Sequence, residues 1–180
     1  MTNHIDLGTV LRQTLAANLY SNLVTRSTGA AVRTQIETLL PASRRTLTVI
    51  DLSHVAMIDF SCADEVIAKL LLRRGEELEA YFVFRGISDD HWDAIETVLE
   101  RHGLALVVER ESGVDLVGVL EERERRVFGV IKRRGRAECW EVAMDLGEAD
   151  SSVRSALEQM WRRRLIMRDG EAYLLVGEIA

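Results

Sequence analysis

The sequence predicts an α/β protein: a mixed, mostly parallel sheet with helices packed on it, followed by a small α+β module of three helices and a hairpin. Three observations carry this. Short β-rich runs alternate with amphipathic helical stretches as far as Val119. The single proline, Pro41, separates a helix from a strand near Leu47, a β-α-β pattern that favours parallel pairing. Near Leu120 the composition changes, because residues 1–119 hold 11 basic and 17 acidic side chains while residues 120–180 hold 12 of each. We therefore expect two domains, 1–119 and 120–180.

Ile5, Leu7 and Val10 suit an edge strand, whereas Leu11, Leu15 and Leu19 suit a helical stripe, so the first segment stays open between the two. A strand is expected over 19–24, paired in parallel with the one at Leu47. A turn at Thr25-Arg26-Ser27-Thr28-Gly29 then opens a helix with Ala31, Val32, Ile36, Leu39 and Leu40 inward, stopped by Pro41. A buried strand follows at Leu47, Val49, Ile50 and Leu52, then a helix from Ser61 to about Arg74 that ends at Gly75. Tyr81-Phe82-Val83-Phe84 forms an aromatic strand. Ser88 caps a helix with Asp89 and Asp90 in its first turn, Trp92, Ile95, Val98 and Leu99 inward and His102-Gly103 as its stop. Strands at 104–108 and 115–119 complete a sheet of four to six strands. Beyond it, helices are expected over 121–134, 138–146 and 151–163, then a hairpin across Arg168-Asp169-Gly170-Glu171.

With 180 residues, 47% of them hydrophobic, the chain can build at least one proper core. No window approaches eighteen uninterrupted apolar residues, and Met1-Thr2-Asn3-His4-Ile5-Asp6 lacks the basic-then-apolar layout of an export signal, so no membrane partner and a cytoplasmic setting are expected. Cys62 and Cys139 lie far apart in apparent helices, as reduced thiols do. The net charge of -6 argues against unspecific coating of nucleic acid but leaves room for a local basic face. No phosphate-binding glycine loop, dinucleotide fingerprint or zinc spacing is present, so neither cofactor nor metal is expected.

The stretch from Thr46 to Arg74 organises the first domain. A β-rich run that ends in Asp51 and passes through Ser53-His54-Val55 into Met57-Ile58-Asp59-Phe60-Ser61-Cys62-Ala63-Asp64-Glu65 brings a hydroxyl and carboxylates to a helix N-terminus. Such corners are where open α/β sheets usually place their sites. Leu47-Thr48-Val49-Ile50-Asp51-Leu52-Ser53, Ile58-Asp59-Phe60-Ser61 opening a helix, the strand at Tyr81 and a helix followed by Gly103-Leu104 together resemble the STAS fold over residues 19–110. That fold is shared by anti-sigma-factor antagonists and the cytoplasmic tails of anion transporters. The resemblance implies a partner-binding domain, with a histidine-kinase-like ATPase or anti-sigma factor as partner, and by position it makes Ser61 the switched residue. Phe60 stands where the phosphorylatable motif has its first hydroxyl and Cys62 where glycine is usual; the segment looks more like a subgroup with an Ala-Asp-Glu helix start. Asp64 and Glu65 would repel a phosphate on Ser61. The phospho-switch or docking candidates are therefore Ser61, Asp59, Asp64 and Glu65. For Asp64 the plain alternative is a capping acid in Ser61-x-x-Asp64.

Residues 121–176 look like a winged helix-turn-helix of bacterial regulators, on the strength of 151–157, Arg162-Arg163-Arg164-Leu165-Ile166 and Gly170-Glu171-Ala172-Tyr173. Helical spacing puts Val153, Ala156, Leu157, Met160 and Trp161 on one face of the third helix and Ser152, Ser155, Gln159 and Arg162 on the other. Arg163, Arg164 and Arg168 would stand at the start of the wing. With Arg154, the candidates for double-stranded DNA are thus Ser152, Arg154, Ser155, Gln159, Arg162, Arg163 and Arg168. The same face suits a protein contact, for which Glu158 beside Gln159 speaks. His54 could be imagined as a base for Ser61, yet no third orienting partner is in evidence, so no catalytic residue is expected. The expectation is a regulatory protein without catalysis, acting on a protein partner, or alternatively a DNA-binding transcriptional regulator whose first domain senses or dimerises.

Overall fold

The computed structural model describes residues 2–42, 45–73 and 79–177. Strand β1 (Thr2–Asp6) runs into helix α1 (Leu7–Leu15), so the open choice at the start resolves as both. Asp6 makes the transition by accepting from the backbone N–H groups of Gly8 and Thr9. The strand expected over 19–24 shrinks to β2 (Asn22–Leu23). Helix α2 (Arg26–Leu39) follows and stops where Leu40, ahead of Pro41, turns extended.

β3 (Arg45–Asp51) then pairs in parallel with β1, not with β2, which instead pairs with the short β4 (Met57–Ile58). The parallel unit is real, but its first strand is β1. α3 (Phe60–Ala63), a π-helical turn (Asp64–Ala68) and α4 (Lys69–Leu72) run on from one another; the stop expected at Gly75 lies outside the described residues. β5 (Glu79–Arg85), α5 (Asp89–His102), β6 (Ala105–Arg110) and β7 (Gly113–Gly118) complete the first segment. The sheet order is β1-β3-β5-β6-β7, parallel except for β7.

α6 (Glu122–Arg134) opens the second segment. β8 (Arg136–Glu138) follows, a strand that the sequence did not signal. α7 (Cys139–Leu146), α8 (Asp150–Arg162), β9 (Ile166–Asp169) and β10 (Ala172–Leu175) come next, and the three strands pair antiparallel as β8-β10-β9.

The two-residue period of the central strands decides the packing. Ile50, Phe82, Phe84, Leu106 and Val108 face α1 to α5 in one core. Leu47, Val49, Tyr81, Val83, Ala105 and Val107 point the other way, into a second core completed by Val127 and Ile131 of α6, Val142 of α7, Leu157 and Met160 of α8, and Ile166. A sheet buried on both faces needs apolar residues at every position, which is why these strands read as unbroken apolar runs. The second segment is therefore the cover of the sheet's other face. Polar contacts tie it down at the periphery: Lys132 pairs with Asp115 at 2.6 Å, Arg45 donates to the Arg168 carbonyl, and the Arg164 guanidinium lies 5.9 Å from the Tyr81 ring.

Candidate functional site

The corner between β4 and α3 is built by one carboxylate. Asp59, not Ser61, caps α3: its Oδ1 accepts from the Cys62 N–H at 2.8 Å and from the Ser61 hydroxyl at 2.9 Å. Its Oδ2 accepts from the Thr25 N–H at 2.9 Å, so the starts of α2 and α3 are fastened to each other. Burial alone would raise the Asp59 carboxyl, but the N–H groups of Thr25 and Cys62 outweigh it and hold it below its ordinary value. Gly29 lets the two helices meet, since a Cβ there would lie 2.9 Å from the Cys62 Cα. The Cys62 thiol is pushed up to about 12, first by burial and then by Asp59, so it stays protonated and donates to the Thr25 carbonyl at 2.9 Å.

Thr25 is thus gripped by both its N–H and its C=O, and it needs to be. Its φ is 73°, a conformation that a β-branched residue adopts at a cost of about 1–3 kcal/mol. Around it the hydroxyls of Thr25, Ser27 and Thr28 are linked at 3.1 to 3.3 Å. Met57, two residues before Asp59, is exposed at 50%.

Asp64 and Glu65 are neither capping acids nor free charges facing Ser61. Both are buried in the π-helical turn, and cations neutralise them. Asp64 accepts from Arg26 at 2.9 Å and pairs with His102 at 2.7 Å; Glu65 takes Arg26 at 2.9 Å, Arg33 at 3.4 Å and Lys69. The repulsion expected of a phosphate on Ser61 would come from Asp59 instead. Sequence reasoning missed Arg26, Arg33, Lys69 and His102. The available signal was the pair of acids inside the otherwise apolar run Cys62, Ala63, Val66, Ile67, Leu70, because buried carboxylates require partners.

This clamp gives a pH prediction. Burial opposes ionisation of both groups, yet Arg26 and His102 lower Asp64, and Lys69, Arg26 and Arg33 lower Glu65. Carboxyls depressed on folding contribute stability that is complete above their unfolded values, about 3.9 and 4.3, and that is lost as pH falls through the folded ones. We expect the Tm to fall steeply below pH about 4, and Asp64→Asn with Glu65→Gln to flatten that slope. An unchanged slope in the double variant would remove the clamp from the account.

His54 and His91 have structural partners. His54 Nδ1 bonds Asp6 at 3.0 Å, so it does not serve Ser61. His91, buried, accepts from the Ser88 N–H at 3.0 Å and bonds the Val55 carbonyl through Nε2 at 2.8 Å. Among the described residues, no three His, Cys, Asp or Glu side chains gather as a cation site.

On α8, Arg154, Ser155, Gln159 and Arg162 are exposed, and Ser152 is half-buried. Two candidates are committed inside the protein. Arg163 donates to both oxygens of the buried Glu124 at 2.8 Å and to the Val119 carbonyl at 2.6 Å. Arg168 donates to the Gly170 carbonyl at 2.9 Å and lies 5.6 Å from the Trp161 ring. On neighbouring α7, Trp140 and Met144 are exposed one helical turn apart, at 53% and 65%.

No helix among the described residues is long and apolar enough to cross a membrane. No protein-family model matches the chain, and no curated protein matches it significantly.

Proposed function

We propose that this chain is a regulatory protein that works by binding, not catalysis: a STAS-like, anti-sigma-factor-antagonist-like domain coupled to a winged helix. The observation that carries this is the corner itself. One carboxylate pins two helix N-termini around the strained Thr25, with exposed Met57 two residues before Asp59 in the chain and Ser61 in reach. Strain held at a surface corner, next to an apolar side chain in water, is the composition of a docking site. The parallel order β1-β3-β5-β6 with α1 to α5 packed on one face supports the STAS resemblance. The order helix, strand, helix, helix, strand, strand supports the winged helix. The partner is a protein of the anti-sigma-factor or histidine-kinase-like ATPase class. Two free, buried cysteines suit a cytoplasmic setting.

Phosphorylation of Ser61 would put a dianion where its hydroxyl now donates to Asp59, 2.9 Å away, and so would loosen the bond that holds Thr25. The test is calorimetric titration with a histidine-kinase-like ATPase of the anti-sigma-factor class. Ser61→Asp and Met57→Asp are each expected to weaken binding about tenfold or more, with the Tm of Met57→Asp unchanged. Undiminished affinity in both variants would remove the corner as the docking surface.

DNA is the second reading, favoured by the row Arg154, Ser155, Gln159 and Arg162 exposed along α8. It predicts duplex binding that weakens steeply from about 50 to about 200 mM salt and is abolished in Arg154→Ala/Arg162→Ala. The exposed Trp140 and Met144 beside that row suit a protein contact better, as aromatic and Met side chains anchor protein interfaces.

A further inference from the structure

A cleft of about 900 Å³ opens where the ends of α4 and α5 and the start of β6 meet the end of α8. Its size is that of small-molecule sites, about 300–1,000 Å³. The lining is mainly aliphatic and aromatic: Leu71, Phe82, Leu104, Leu106 and Trp161 are among its residues. Two large apolar side chains exposed to water, Leu72 and Val119, also belong to it. Its charges are unequal. Arg163 and Glu124 cancel each other and Arg73 pairs with Glu37 at 3.9 Å, whereas Arg162 is exposed with no ionic or hydrogen-bond partner among the described residues. Glu121 is the other acid among the described residues of the lining.

An apolar surface with one arginine, Arg162, unpaired among the described residues fits a ligand of one chemistry. We propose that the cleft binds an amphipathic carboxylate, an aliphatic acid of fatty-acid type, with the chain against Leu71, Leu72 and Val119 and the carboxylate at Arg162. Purine or sugar recognition would need several converging donors and acceptors, and here Gln159 is the main neutral one. Arg162 and Gln159 belong to α8 and also line the outer pocket with Ser155 and Glu158. A carboxylate on Arg162 therefore takes away a cation from the outer face of α8, which makes the ligand a regulator of whatever that face meets. The inference does not depend on which macromolecule that is.

The test uses the full chain in calorimetric titrations with dodecanoate, dodecyltrimethylammonium and acetate, all below micellar concentrations. Saturable binding of dodecanoate at one site, with neither the cation of the same tail nor acetate competing for it, is the expected result. Arg162→Ala should weaken dodecanoate about tenfold, the worth of one charge-assisted hydrogen bond, and Leu72→Asp should weaken it at least as much. Both substitutions are at exposed positions, so their Tm values should match the parent. Equal binding of the anionic and cationic amphiphiles, an Arg162→Ala affinity equal to the parent's, or no dodecanoate binding would each overturn the proposal.

Discussion

Residues 1–119 produced without the rest of the chain are expected to aggregate and to lose a cooperative thermal transition. The reason lies on the second face of the sheet. Without α6 to β10, the side chains of Leu47, Val49, Tyr81, Val83 and Val107 pass to water in one contiguous patch. At about 1.5–3 kcal/mol for each large apolar side chain, the loss is roughly 10 kcal/mol, comparable with the whole stability of an ordinary domain, about 5–15 kcal/mol. A patch of that kind on a sheet is also an aggregation site. The full chain should accordingly melt in a single calorimetric transition, with calorimetric and van't Hoff enthalpies equal. A monomeric 1–119 fragment that melts cooperatively within a few degrees of the parent would show that the cover is dispensable.

That arrangement bears on function through β3. Its Leu47 and Val49 lie in the core shared with the second segment, its Ile50 in the core shared with α1 to α5, and it ends at Asp51, which bonds Arg85 at 2.8 Å and the Ser53 N–H at 2.9 Å. The loop to Asp59 begins there. A displacement of the corner would therefore pull on a strand whose side chains share one core with α6, α7 and α8. Packed interfaces of this sort switch between discrete arrangements more readily than they deform.

The α/β class, α2, α5 and the three C-terminal helices were legible because each rests on a local signal: an apolar stripe, a cap, a glycine stop. Ser88 and Gly103 frame α5 as expected, with His91 completing the capping box. Pairing was less legible. β2 and β4 have two residues each, too few for any period, and nothing local tells Leu23 to seek Ile58 instead of β3. β8, three residues with Ala137 alone buried, exists because β10 offers it an edge. An apolar run such as Leu47 to Leu52 announces burial but not what covers each face, so the shared core was invisible. At the corner, Ser61-x-x-Asp64 imitates a capping box. The true cap lies two residues earlier because Asp59 also has the Thr25 N–H to satisfy, a long-range demand that no window contains.

Arg163→Ala is expected to cost about 3–5 kcal/mol. The residue stands in a run of three arginines, where sequence reasoning assigns it to a phosphate backbone. Its guanidinium instead closes over the Glu124 carboxylate, which is 1% exposed and which also accepts from the Glu121 N–H at 2.9 Å to cap α6. Glu124 falls on the inward stripe of α6, three, four and seven residues before Val127, Phe128 and Ile131, so removal of Arg163 strands a charge inside an apolar helix face. Truncating a partner of a buried pair leaves that charge uncompensated, whereas removing both groups together often restores stability. Urea denaturation should therefore rank Arg163→Ala far below the parent, with Glu124→Leu/Arg163→Leu recovering most of the difference. Arg162→Ala, one position away but exposed and without a partner among the described residues, should stay within about 0.5 kcal/mol of the parent. If Arg162→Ala and Arg163→Ala proved equally stable, the Glu124 pair would not hold α6 to α8, and any loss of partner or DNA binding in Arg163→Ala would have to be read as a direct contact.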